Sequence, residues 1–283
     1  DKESIFIFQT KIFREIVFLT LRLKFLYSST PNLNQTIFRK SKFSKCKYIY
    51  LQHTPVSMTL IYSSNAFDHF DAVQTISKYQ YNEMKEIVFK NKLKTKIFKS
   101  KYQFINKQIR NNKETLADTD ILIAPSWNSG FYKSNCHIKF KEFLDNYNLS
   151  YKLRPHPMSF KKKEISKQNL IDLNIPLDTS NYLNPFKYNF FVTDWSGIFI
   201  EYALIFKRKA YLINTPKKMV NKNYLEFKNK PVEITLRNII GKTFEVDNIK
   251  DIVVEVEKLK NKHKNLELSS DSSVKKIIDE NFF

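Results

Sequence analysis

Glycine is scarce in this sequence: 283 residues contain only Gly130, Gly197 and Gly241. Three glycines this far apart cannot write either common glycine-rich phosphate loop, so both are excluded. Cysteine is scarcer still. Cys46 and Cys136 stand apart with no CxxC and no His-Cys spacing, which argues against a metal site and for a reducing cytoplasm. Long apolar runs are missing too. Lys11, Arg14, Glu15, Arg22 and Lys24 interrupt the greasy opening of the chain well short of a membrane span, so no transmembrane helix is expected. Acidic residues number 28 against 48 Lys and Arg, for a formal charge of +20. A chain this basic favours an anionic partner: a nucleotide, a phosphopolymer, an anionic lipid surface or nucleic acid. It opens at Asp1 without an initiator Met or a signal peptide, so it reads as a trimmed or internal fragment.

What is present centres on residues 189–204, NFFVTDWSGIFIEYAL. The apolar run Phe190, Phe191, Val192 is what a buried strand needs, and Ile198, Tyr202 and Ile205 recur at helical spacing. Between them Thr193, Asp194, Trp195, Ser196 and Gly197 form a tight turn. Ser196 is the expected N-cap, Gly197 lets the backbone approach a ligand, and Glu201 falls within the first two turns. The free N–H groups of such a helix start can receive a phosphate.

Two further stretches end strands in chemistry. Residues 151–157, YKLRPHP, present Arg154 and His156 in extended geometry fixed by two prolines. His53 does the same in QHTP after the strand Tyr48, Ile49, Tyr50, Leu51. A series then follows in which strands at 121–124, 151–154, 190–193 and 210–213 alternate with helices at 137–147, near Lys161 and around Glu201. Alternation of this kind argues a parallel sheet with helices on both faces, whose ligands bind beyond the carboxyl ends of the strands. Ser126 with Trp127, Arg154 with His156, and Thr193 to Ser196 all sit at such ends and should converge on one cleft.

The remainder is plainer. Ile12, Ile16, Leu19 and Leu23 fit a helix while Leu21, Leu23 and Phe25 fit a strand, so the element changes near Thr20. Asp68 and Asp71 belong to FDHFD at 67–71, ahead of a strand at 72–77 and a helix at 79–89; such carboxylates either catalyse or brace a loop. Residues 85–113 hold ten Lys or Arg against Glu86 alone, with aromatics interleaved, which suits a nucleic-acid surface or a solvated helix face and loop. The polar stretch 111–118 places the domain boundary, giving domains at 1–117 and 118–283. The amphipathic helix at 251–262 is followed by a polar tail.

Taken in order, QHTP, FDHFD, APSW, RPHP and TDWSG, with EITLRNIIG at 233–241, resemble the CDP-glycerol glycerophosphotransferase family of teichoic-acid and capsule polymerases, over residues 24–241. The resemblance implies an α/β, GT-B-like fold: two Rossmann-like domains with parallel sheets facing across a cleft, the first on the acceptor side and lacking its opening strands, the second holding the donor. Carried over by motif, Ser126, Arg154, His156, Thr193, Asp194, Trp195, Ser196 and Gly197 bind the donor, His53 and His156 are catalytic, and Asp68 and Asp71 lie on the acceptor side. The family commonly has a second Ser where this chain has Gly197, and a Gly-Pro turn where it has residues 99–104. The implied reaction moves a polyol phosphate, glycerol phosphate first, from a CDP-linked donor to a hydroxyl of a cell-surface glycan or polymer, releasing CMP without cofactor or metal. The acceptor would be a glycan or polyol phosphate, lipid-linked, at the inner face of an anionic membrane. A glycosyltransferase of the same fold using a nucleotide sugar is the alternative. A nucleic-acid-binding module leaves His53, Arg154, His156, Asp194 and Ser196 unexplained, so no nucleic-acid partner is expected.

Overall fold

The computed structural model describes residues 11–20, 22–35, 38–112, 117–180, 183–262 and 270–283. Leu21, the middle of the polar boundary stretch (113–116) and the first part of the expected polar tail (263–269) fall outside them. The chain divides into two units, each built on its own parallel sheet: residues 1–101, 220–231 and 283, and residues 102–219 and 232–282.

The first unit contains α1 (Lys11–Thr20), β1 (Phe25–Ser28), β2 (Lys47–Tyr50), β3 (Ala72–Thr75), α2 (Lys78–Lys90) and β4 (Lys96–Lys99). The strands lie parallel in the order β1-β2-β3-β4. The element change near Thr20 is observed, and of the residues expected in the strand the pairing takes in Phe25 but not Leu23. Tyr48, Tyr50 and Val73 turn into a core with Leu33, Phe67 and Met84. Tyr50 meets Phe67 and Phe70 edge-on, with ring centroids 5.1 and 5.4 Å apart. Strand β4 was not expected. It lies within the basic run, where Lys96 and Lys99 are exposed, as suits an edge strand guarded by charge.

The second unit contains α3 (Gln103–Asn112), β5 (Thr119–Ile123), α4 (Cys136–Asn146), β6 (Tyr151–Leu153), α5 (Pro157–Lys161), α6 (Lys167–Asp172), β7 (Tyr188–Thr193), α7 (Ile198–Phe206), β8 (Ala210–Ile213), α8 (Val232–Leu236), β9 (Gly241–Phe244), α9 (Ile249–Lys262) and α10 (Ser272–Asn281). All five strands run parallel in the order β6-β5-β7-β8-β9. From β5 the chain steps to one side for β6 and returns to the other for β7. The carboxyl ends of β5 and β7 therefore flank a topological switch point, where ligands of open parallel sheets bind. Covered on both faces, β5 is buried throughout and reads as an unbroken TDILI.

The division falls at Lys101 rather than at 117 because α3 belongs to the second unit. It packs on α7, where the Tyr102 hydroxyl donates to Glu201 Oε1 at 2.7 Å. Residues 220–231 return to the first unit, where the Asn221 amide donates to the Thr59 carbonyl at 2.8 Å and Glu86 accepts the N–H groups of Lys228 and Asn229. Beyond residue 270 the polar tail forms a helix. Asp271 caps α10 by accepting the Ser273 and Val274 amides, and the helix buries Val274 and Ile278.

Candidate functional site at the strand ends of the second unit

Asp194 is the centre of the site. It follows β7 with no solvent exposure, and its Oδ1 accepts the Ser126 N–H at 2.8 Å while the Ser129 hydroxyl donates to Oδ2. Burial pushes its carboxyl above the usual carboxylate range, against the Ser129 and Ser126 hydrogen bonds. Asp194 thus orders the loop after β5 instead of offering its oxygens to a ligand. Thr193 is equally internal: its hydroxyl donates to the Ala124 carbonyl at 2.6 Å and ties β7 to β5. Ser126 differs. Its Oγ is buried beside the Asp194 carboxyl without a well-formed hydrogen bond, which leaves the hydroxyl able to turn to a ligand or water.

The start of α7 departs from expectation by one residue. Gly197, not Ser196, is the N-cap, with φ −59° and ψ −10°, and no side chain caps the helix. At the positive end of the helix the Ile198 N–H has no acceptor among the described residues, while the Phe199 and Ile200 amides donate to the Ser196 and Gly197 carbonyls; Ser196 is half-buried beside them.

The RPHP residues separate in role. Arg154 Nη1 donates to Asp178 Oδ2 at 2.8 Å and to the Ser180 carbonyl and hydroxyl at 3.1 and 3.0 Å. Its charge is balanced by Asp178, whose carboxyl is held below its usual value: burial raises it, and the Ser180 and Arg154 hydrogen bonds outweigh burial. His156 caps α5, its Nδ1 accepting the Met158 N–H at 3.1 Å. That bond requires a neutral ring carrying its proton on Nε2, and burial, with Lys218 nearby, lowers its pKa against the pull of Glu164. His156 therefore presents an N–H donor rather than a charged imidazolium.

Arg237 went unnoticed in the sequence because its partners are main-chain carbonyls. It is 4% exposed, donates from Nη1 to the Asp194 carbonyl and from Nη2 to the Ile213 carbonyl, each at 2.7 Å, and lies 4.0 Å from the Trp195 ring centroid. Burial lowers its pKa to about 10, which leaves it charged at neutral pH. Trp195 donates from Nε1 to the Thr215 carbonyl at 2.7 Å. Arg237 so pins the turn after β7 to the loop after β8. The same segment explains Gly241: a Cβ there would stand 2.2 Å from Leu212 Cδ1 and 2.6 Å from the Arg237 carbonyl oxygen.

Residues 214–218, after β8, form a strap across the strand ends. Lys217 Nζ lies 5.5 Å from the Trp195 ring centroid and Lys218 Nζ 4.5 Å from that of Trp127. Pro216 meets Gly130, whose φ of +77° and 2.9 Å clearance both demand glycine. The Trp127 and His156 rings stand 6.5 Å apart. A cleft of about 600 Å³ opens here, lined by Trp127, Gly130, Tyr132, Lys162, Glu164 and Pro216, among others. Among the described residues no group of three or more His, Cys, Asp or Glu side chains could hold a metal ion.

The other three expected site residues belong to the first unit. His53 is exposed just beyond β2, and burial of part of its ring lowers its pKa. The backbone after it is held from α2. Gln80 Nε2 donates to the Thr54 and Val56 carbonyls at 3.0 and 2.8 Å, while Glu83 Oε2 accepts the Ser57 hydroxyl and the Met58 and Thr59 amides. Asp68 and Asp71 both precede β3, at the amino edge of the sheet, opposite the edge that carries His53. Asp68 accepts the Asn91 amide at 3.1 Å, and Asp71 accepts the Tyr48 N–H at 3.0 Å with Lys40 and Lys47 beside it. Both brace loops.

No model of a protein family matches the chain, and no curated protein does. Among solved structures it is similar to the wall teichoic acid polymerase TagF, soaked with CDPG, at 13% identity over 91% of this chain and 71% of that one, with a TM-score of 0.47. It is also similar to the pneumococcal O-GlcNAc transferase GtfA in complex with UDP and GlcNAc, at 14% identity and a TM-score of 0.38. That likeness covers 83% of this chain and about half, 51%, of the other.

Proposed function

We propose that the chain is a transferase that moves a polyol phosphate, glycerol phosphate first, from a CDP-linked donor to a hydroxyl of a cell-surface glycan or polymer. What supports this reading is that the ends of β5, β6 and β7 each present a donor to an anion: the Ser126 hydroxyl, the His156 Nε2–H, and Ser196 with the Ile198 N–H at the start of α7. Donors arranged in this way suit a pyrophosphate, and the cleft beside Trp127 is large enough for a nucleoside.

In the proposed step the acceptor oxygen forms a bond to the phosphorus of the polyol phosphate as the bond from that phosphorus to the CMP oxygen breaks. CMP leaves with the electron pair, and the acceptor proton passes to His53 of the first unit. An imidazole with a lowered pKa is neutral at pH 7 and ready to accept it. His156, Ser126 and the α7 start stabilise the charge on the phosphate oxygens, the largest demand of phosphoryl transfer. Arg154 supports the site indirectly, by holding the segment at Asp178 and Ser180.

Incubation with CDP-glycerol, CDP-ribitol and a panel of nucleotide sugars, with CMP, UMP and UDP quantified, tests the reading. CMP release from a CDP-polyol is expected. UDP or UMP release from a nucleotide sugar alone would replace it with a glycosyltransferase, and release of none of the three removes the reading. The +20 charge adds attachment to an anionic membrane surface, tested by sedimentation with acidic and neutral vesicles. Among the described residues no helix is long and apolar enough to cross a membrane.

A further inference from the structure

The Lys218 ammonium is a cation at the strand ends whose environment asks for an anion and whose sequence context gave no hint of it. It lies over the face of Trp127, 4.5 Å from the centroid, and among the described residues it has neither a hydrogen-bond acceptor nor an ion pair. An ammonium carries three donors, and a half-buried one is ordinarily satisfied. Two of the nearby carboxylates are engaged elsewhere. Asp194 accepts Ser126 and Ser129, and Glu164 accepts the Asn128 N–H at 2.6 Å. Glu233 is 1% exposed, and it too acts on Lys218 only through its field. Arg154, the cation expected to hold the phosphates, is meanwhile neutralised by Asp178.

We propose that Lys218 is the donor-binding cation of this site, closing on the phosphate oxygens of a nucleoside diphosphate from above Trp127, opposite the His156 Nε2–H. The proposal rests on the nucleotide-binding reading given above and names the residue that neutralises the ligand. The geometry fits the role. Lys218 and His156 flank the same indole ring, and the ammonium helps to keep the imidazole neutral, so that its Nε2–H faces an anion as a donor. The strap that carries Lys218 is fixed at three points, by Trp195 Nε1 on the Thr215 carbonyl, by Pro216 against Gly130 and by Lys217 beside Trp195. The ammonium is thus placed by a rigid loop, which lowers the entropy lost when it grips a ligand. Trp127, covered by the ammonium on one face, is left to form the wall of the cleft.

The test is equilibrium titration of the full chain with CDP and, separately, with inorganic pyrophosphate, for the wild type, Lys218→Met and Lys218→Arg, with thermal midpoints recorded for each. A charge-assisted contact to phosphate contributes about 1.5–3 kcal/mol, so Lys218→Met should weaken both ligands by roughly 10- to 150-fold. Its thermal midpoint should be unchanged or raised, since a partnerless ammonium is removed, and Lys218→Arg should bind nearly as the wild type does. Wild-type binding of CDP with no loss in Lys218→Met overturns the role of Lys218 and leaves the nucleotide reading in place. Lys218-dependent binding of pyrophosphate without any preference for CDP keeps Lys218 and removes the nucleotide. Binding of neither ligand by the wild type ends both.

Discussion

The Asp194 carboxylate and the Ser126 N–H, 68 residues apart in sequence, meet at 2.8 Å where β5 and β7 end. The bond joins two of the motifs into one structural unit, with the Ser129 hydroxyl on the second carboxylate oxygen. Asp194→Ala leaves the Ser126 N–H buried and unpartnered, at a cost of about 1–3 kcal/mol, while the Ser129 hydroxyl can still donate to the Ser126 carbonyl at 3.1 Å. Urea unfolding should register that loss, and CDP affinity should fall with it because the Ser126 loop is no longer held. A variant as stable as the wild type contradicts this role for Asp194.

Arg154→Ala removes the partner of Asp178, whose side chain is 8% exposed. The expected loss is about 1.5–3 kcal/mol of stability, the range for hydrogen bonds to charged groups. CDP affinity should drop less than in Lys218→Met. The reverse ranking, with large loss of affinity at unchanged stability, would return Arg154 to direct contact with the phosphates.

His156 makes stability depend on pH. Its folded pKa lies below the unfolded value of about 6.5, so the folded state binds fewer protons. The contribution of its cap is therefore fully present above pH 6.5 and is lost as pH falls from there through the folded value. His53 and His137 are lowered by burial and act in the same direction. The thermal midpoint should fall between pH 7.5 and pH 5.5, and His156→Asn, which keeps a capping oxygen, should fall less steeply. Equal slopes in the two proteins rule out the His156 cap as a source of the pH dependence.

His53 separates a transferase from a protein that only holds a nucleotide. Gln80 and Glu83 fix the loop after it independently of its ring. His53→Ala should thus keep its stability and CDP affinity while CMP release falls by about 10²–10⁴-fold, as removal of a general base predicts. Loss of stability together with affinity, or near-normal turnover, contradicts the assignment.

The sequence made legible what is local. TDWSG announces a strand, a turn and a helix within sixteen residues, and alternation of apolar strands with helical patterns announces a parallel sheet. It hid whatever depends on distant main chain or on a partner far along the sequence. Arg237 looks like an ordinary helix residue because its acceptors are the carbonyls of Asp194 and Ile213. Arg154 looks free because Asp178 lies 24 residues away, and the Lys217-Lys218 pair looks like surface charge until Trp127 is placed beneath it. Strand β4 is masked by its lysines, which guard an edge. Helix α10 left a signal that composition obscured: Asp271 as a cap, then Val274 and Ile278 one turn apart.

The central claim, that the carboxyl ends of β5 and β7 hold a nucleoside diphosphate, has a direct reporter. The chain contains two tryptophans, Trp127 and Trp195, and both stand at those strand ends. Their emission, recorded as CDP is titrated into the wild-type chain at neutral pH, should change saturably, with a weaker apparent affinity for CMP and none for cytidine at the same concentrations. Emission that stays flat to saturating millimolar CDP, or that responds equally to cytidine, contradicts the account.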